Sequence, residues 1–209
     1  MKNRFNYFIF FLCLFFLRYD AYSSEIEFIA KEIQIVENQN LTIALNGRAF
    51  ISKNNLSLKG EKIQHYKDKS LLIIKKGDLV KDDNLYIKSD ETKYLINKSF
   101  LDLKNDVEII DKKNNLNIKS NQIDYDLNKE EIRSNSNSII LDKAGNTYQI
   151  EKFIYNRKDN LIILTNTTVI DKQNNVYVFE KAYLDTLKKE LFAKDINLNF
   201  KNSSPTSNE

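Results

Sequence analysis

Short alternations of apolar and polar residues recur along this chain at a nearly constant interval. Leu41-Thr42-Ile43-Ala44-Leu45, Leu85-Tyr86-Ile87, Leu101-Asp102-Leu103, Leu116-Asn117-Ile118 and Ile196-Asn197-Leu198-Asn199-Phe200 put an apolar side chain on every second residue. That is the period of a strand with one dry face and one wet face. Block starts at Ile26, Leu56, Leu85, Leu116, Tyr148 and Val176 are spaced 30, 29, 31, 32 and 28 residues apart. A repeat of this size marks stacked supersecondary units, each too small to bury its own apolar face. The nearest approach to a helical stripe is Lys181 to Phe192, where Tyr183, Leu187 and Leu191 fit one face; Leu187-Lys188-Lys189-Glu190, however, occupies the place of a turn in the other blocks.

Five polar pairs, Asn54-Asn55, Asp83-Asn84, Asn114-Asn115, Gly145-Asn146 and Asn174-Asn175, immediately or nearly precede the block starts after the first. A second polar cluster falls midway, at Glu37 to Asn40, Lys67 to Ser70, Ile96 to Ser99, Leu127 to Glu130, Arg157 to Asn160 and Leu187 to Glu190. Asn and Asp tolerate left-handed backbone and hydrogen-bond their own main chain, so both positions read as turns. Each unit is then two long strands, and the chain is all-β, an elongated antiparallel array of about six two-strand repeats with twelve or more strands and two open edges. The strands entering each block place Gly or Asn shortly before an apolar position, as in Gly47-Arg48-Ala49 and Asn166-Thr167-Thr168-Val169. Apolar parity drifts by one residue between blocks, which a bulge or a corner would cause.

Residues 1–23 read as a signal peptide. Lys2 and Arg4 precede an apolar run from Phe5 to Leu17, and Ala21-Tyr22-Ser23 supplies the small residues of a cleavage site. The run is shorter than the ~20 residues a membrane span needs. Cleavage would remove Cys13, the one cysteine, so the exported chain forms no disulfide and suits a bacterial periplasm. It would also leave 29 basic against 28 acidic residues, with no electrostatic footprint for nucleic acid. Residues 24–200 are expected to form the β domain and residues 201–209, which include Pro205, a disordered polar tail.

Catalytic constellations are scarce. The sequence holds one histidine, His65, so no His/Cys metal site is expected, and carboxylate pairs such as Asp82-Asp83 and Glu130-Glu131 fall in turns. No glycine-rich phosphate loop is present, which leaves no nucleotide engine. The expectation is a non-enzymatic protein without cofactor or metal.

Phe28-Ile29-Ala30-Lys31-Glu32-Ile33, Leu45-Asn46-Gly47-Arg48-Ala49-Phe50-Ile51 and the recurring Leu56-Ser57-Leu58-Lys59-Gly60-Glu61-Lys62-Ile63 type of segment resemble the OstA/LptA-like β-jellyroll family of lipopolysaccharide transport. That family includes the periplasmic bridge protein and the N-terminal domain of the outer-membrane lipopolysaccharide-assembly protein. The likeness runs from about Glu25 to Phe200. It departs from the family pattern where Gly60-Glu61 and Ser89-Asp90 replace the usual Ala-Asp. The resemblance implies a β-jellyroll in the periplasm that carries lipopolysaccharide, and association with the outer membrane is compatible with it. It also implies partner jellyrolls joined by edge-strand addition, and a head-to-tail homo-oligomer is compatible with it.

Acyl chains of lipid A cannot cross water exposed, since each buried methylene is worth about 0.8 kcal/mol. A carrier therefore needs an apolar trough, for which parity nominates Phe28, Ile43, Leu45, Leu58, Ile73, Ile87, Leu101, Leu103, Ile118, Ile150 and Val178. Thr42, Ser57 and Asn117 fall on the opposite parity. Lys53, Lys59, Lys75 and Lys76, near strand ends, are candidates for the phosphates at its rim. The alternatives are a structural or adhesive exported repeat protein with a filled core and, ranked last, a β-solenoid enzyme acting on polysaccharide.

Overall fold

The computed structural model describes residues 26–36 and 38–199. The expected signal peptide and polar tail lie outside them. The strands are β1 (Ile26–Ile29), β2 (Glu32–Val36), β3 (Leu41–Ile51), β4 (Leu56–Tyr66), β5 (Leu71–Lys81), β6 (Leu85–Leu95) and β7 (Phe100–Asp111). They continue with β8 (Leu116–Asp126), β9 (Glu131–Ser134), β10 (Ser138–Asp142), β11 (Thr147–Asn156), β12 (Leu161–Ile170), β13 (Val176–Asp185) and β14 (Glu190–Asn199). All belong to one antiparallel sheet in which β3 to β8, and again β11 to β14, lie side by side in sequence order. β1 and β2 pair with the two halves of β3, and β9 and β10 pair with the two halves of β8 and β11. Each of these two pairs is one bent strand, so the array has the expected twelve. It is an elongated β-jellyroll, and the minority helical reading of Lys181 to Phe192 gives way to the β13–β14 hairpin.

The turns hold because their residues accept left-handed backbone. Asn55, Ser70, Asp83, Ser99, Asn115, Glu130, Asn160 and Asn174 all have φ between 46° and 65°. A single short polar side chain that hydrogen-bonds locally pays little for that conformation.

A line of unpaired residues crosses the sheet at mid-strand. Pairing passes from Leu45↔Lys62 to Gly47↔Gly60, omitting Asn46 and Glu61. It passes from Lys62↔Lys75 to Gly60↔Gly77, omitting Lys76. Further along, Glu151 and Asn166 are omitted between β11 and β12, and Asn166 and Glu180 between β12 and β13. One extra residue per strand reverses the parity of everything beyond it. As a result both halves of each strand turn their apolar residues inward, and the sheet closes on itself like a folded page.

The inside of this crease is crowded. A Cβ on Gly60 or on Gly77 would lie 2.5 Å from Cγ2 of Ile74, and one on Gly47 would lie 2.6 Å from Cβ of Ala30. Elsewhere the crease carries small hydroxyl residues. Ser89 Oγ and Thr92 Oγ1 lie 2.7 Å apart, and Ser138 donates to Ser120 over 3.0 Å. Between the two layers, Leu58, Leu72, Leu85, Leu101, Ile118, Ile132, Ile162 and their neighbours are at most 1% exposed. Each such side chain stabilises the fold by roughly 1.5–3 kcal/mol relative to exposure.

Candidate functional site

Folding the sheet brings two rows of turns together opposite the crease. One row holds the turns at 52–55, 82–84, 112–115, 143–146 and 171–175; the other holds those at 67–70, 96–99, 127–130, 157–160 and 186–189. The space between these rows is the lip through which anything entering the interior sideways must pass.

At mid-array the lip is bound shut. Arg157 follows β11 at the register position that holds Ile96 and Leu127 in the preceding hairpins; each of the three donates its backbone N–H to the last residue of the preceding turn. It therefore points inward, with a side chain 3% exposed, and Asp111 from the other row is fully buried against it. Arg157 Nε donates to Asp111 Oδ2 over 3.0 Å, Nη1 to the Tyr125 hydroxyl over 3.3 Å and Nη2 to Asn84 Oδ1 over 2.9 Å. The Tyr155 hydroxyl donates to the same Asp111 oxygen over 2.7 Å. Lys81 extends the bridge, pairing with Asp82 beside it and, over 3.6 Å, with Glu130 across the lip. Burial works to raise the Asp111 carboxyl, but the Arg157 and Tyr155 hydrogen bonds and the guanidinium charge outweigh it, and the net shift is downward. Tyr125 is pushed up to about 12, chiefly by burial. Nearer the N-terminal end, Asn54 Nδ2 donates to the Tyr94 hydroxyl across the lip over 2.6 Å.

At the ends the interior opens. A cavity of about 410 Å³ at the first edge is lined by Phe28, Ile33, Ile35 and His65, with Ile33 47% and Ile35 60% exposed. The His65 ring lies 5.9 Å from that of Phe28, and burial, with Lys67 nearby, holds its pKa below the ordinary value. A second cavity, of about 450 Å³, lies on the lip between Asn114 and Leu191. Among the described residues no cluster of His, Cys, Asp and Glu could hold a metal ion.

The eleven residues nominated by parity divide. Leu58, Ile87, Leu101, Leu103, Ile118 and Ile150 point into the interior, each at most 3% exposed and packed in the core. Phe28 faces inward at the open first edge, partly buried. Ile43, Leu45, Ile73 and Val178 lie on the outer face, next to the inward-facing Thr42, Ala44, Leu72, Ile74 and Phe179. The corners at Asn46 and Lys76 flip parity within β3 and β5, so one continuous alternation cannot track the inner face. Thr42, assigned by parity to the outer face, is buried inside. Of the lysines, Lys75 and Lys76 sit at the crease, paired with Glu91 and Glu61, and Lys59 lies on the outer face, all remote from the lip. Asp111, Arg157 and the buried tyrosines were not among the nominated residues. The signal available for Arg157 was a charged residue at a turn position that is apolar in the two preceding repeats.

Residues 52–172 match the family of lipopolysaccharide-assembly, LptC-related proteins. The chain belongs to that family. The matched segment runs from the turn between β3 and β4 into the turn after β12, and so contains the central bridge of the lip. No curated protein matches the chain. Among solved structures, the chain is similar to LptH, described as the LptA homologous periplasmic component of the conserved lipopolysaccharide transport device from Pseudomonas aeruginosa. That similarity covers 85% of this chain and 95% of the other at 11% identity, with a TM-score of 0.21. At that score the likeness carries no weight, and the jellyroll rests on the strand order and register. Membership in the LptC-related family places the protein in lipopolysaccharide assembly. Among the described residues no helix is long and apolar enough to cross a membrane.

Proposed function

We propose that this LptC-related chain is a periplasmic, non-catalytic carrier that receives lipid A acyl chains between the two layers of its folded sheet and passes them to a neighbouring jellyroll in the transport bridge. The observation that carries this reading is the exposure of inward-facing apolar residues where the array ends. Ile33 and Ile35 pair with the buried Ala44 and Thr42, so they continue the inner face, yet both stand open to water. Leaving such side chains wet forfeits roughly 1.5–3 kcal/mol apiece, a cost relieved when lipid or another sheet covers them. Among the described residues the terminal strands β1, β2 and β14 have a pairing partner on one side of their backbone, and an edge of that kind suits strand addition. The two edges differ, so joining them is a head-to-tail contact that extends without closing.

The packed centre favours a second reading, a structural β-repeat protein whose interior never holds lipid. Photo-crosslinking residues at Ile33 and Ile35 discriminate between the two. In cells making lipopolysaccharide the carrier reading expects adducts there and none at the outer-face positions Ile43 and Ile73. Equal labelling on both faces, or lipid-free protein after organic extraction and mass spectrometry, favours the structural reading.

A further inference from the structure

Three aspartates that open turns of the first row, Asp111, Asp142 and Asp171, differ in where they find their donors. Asp142 accepts from the backbone N–H of Asn146 over 2.9 Å, from its side-chain amide over 2.8 Å and from the Tyr148 hydroxyl over 3.0 Å, all within its own hairpin. Asp171 does the same with Asn175 and Tyr177, over 2.9, 2.9 and 3.1 Å. Asp111 has Asn117 where the other two have tyrosine, and it takes a tyrosine and an arginine from across the lip instead. Among the described residues the lip is therefore bridged at Asp111 and left without these cross-links at Asp142 and Asp171.

The second cavity opens at that unbridged stretch. Its volume, about 450 Å³, falls within the roughly 300–1,000 Å³ of small-molecule sites. Its floor is the inner face itself, with Leu116, Val169, Phe179 and Leu184 each no more than 5% exposed. Its rim carries Leu187, 73% exposed. Lys113 and Lys143 from one row and Lys189 from the other complete the rim. All three lysines are exposed and make no ion pair among the described residues, while the nearby Asp142 and Asp171 are occupied by their own turns. An apolar floor continuous with the core, under a rim of free cations, complements an acyl chain that ends in an anionic group.

We propose that this stretch of lip is a lateral portal, where an acyl chain of lipid A enters the interior while its phosphate is held by Lys113, Lys143 and Lys189. The inference rests on the carrier reading and adds the point of entry, with the Asp111–Arg157 bridge as the fixed jamb beside it.

Full-chain protein carrying Lys113→Glu, Lys143→Glu and Lys189→Glu together is expected to bind purified lipopolysaccharide at least about tenfold more weakly than the parent, at an unchanged melting temperature. A photo-crosslinking residue at Leu187 is expected to capture lipopolysaccharide, and one at the outer-face Phe50 is not. If the triple variant binds as the parent does, the portal is overturned while the carrier reading stands. If the parent binds no lipopolysaccharide, both fall. If phosphatidylglycerol in detergent micelles competes as well as lipopolysaccharide at equal phosphate, the site takes anionic lipids generally and its assignment to lipid A is overturned.

Discussion

At Arg157 a full charge occupies an inner-face position that the two preceding hairpins fill with Ile96 and Leu127, and it is tolerated because Asp111, Tyr125 and Asn84 satisfy the guanidinium. Removing one partner leaves the other charged and dry, which typically costs about 3–5 kcal/mol, whereas replacing both with apolar groups is often neutral. Arg157→Met is therefore expected to lower stability in urea denaturation by about that amount. Asp111→Leu/Arg157→Met is expected to recover most of it, and a double variant no better than the single one would deny the pair its role. The carboxyl also sets a pH dependence. Asp111 titrates below its ordinary value of 3.8 when folded and so binds fewer protons folded than unfolded. Its contribution is complete above that value and is lost as the pH falls through the folded pKa. Parent protein should lose stability below about pH 4 more steeply than Asp111→Asn. Matching urea midpoints for the two from pH 7 to pH 2.5 would contradict this.

The strand with a single corner is the repeating element, and the crease decides what its corner tolerates. Gly60 and Gly77 pair with each other across β4 and β5, and an added Cβ on either meets the same Ile74 methyl. Gly60→Ala is expected to cost about 1–3 kcal/mol, the usual penalty of forcing an extra carbon into a packed interior. Ile74→Leu removes the offending β-methyl, and in combination with Gly60→Ala it should restore part of the loss. Thermal melts of the three variants check this, and a Gly60→Ala variant as stable as the parent would mean that the crease has slack. Corners were foreshadowed in the sequence by the drift in apolar parity and by Gly47, Gly60 and Gly77. Their exact residues were not, because a corner is stable only where adjacent strands bend at the same level.

Across the whole molecule, the array ends in unlike edges at β1–β2 and β14, and association through them should depend on free backbone donors. Leu198→Pro removes one donor from β14 and is expected to abolish concentration-dependent association in sedimentation equilibrium while the melting temperature of the array stays near that of the parent. Unchanged association in a folded variant would direct attention to the other edge. What the sequence by itself determined is the local and periodic part. Alternation marked the strands, Asn and Asp marked the left-handed turns, and the interval of about thirty residues set the number of blocks, since each signal is carried by residues that touch within one hairpin. The inner or outer assignment of Ile43, Leu45, Ile73 and Val178 was decided by the tertiary structure, because one corner residue reverses parity for the rest of a strand. So was the bridge between Asp111 and Arg157, 46 residues apart, together with the gap beyond it, because the two rows of turns meet only after the entire sheet has folded over.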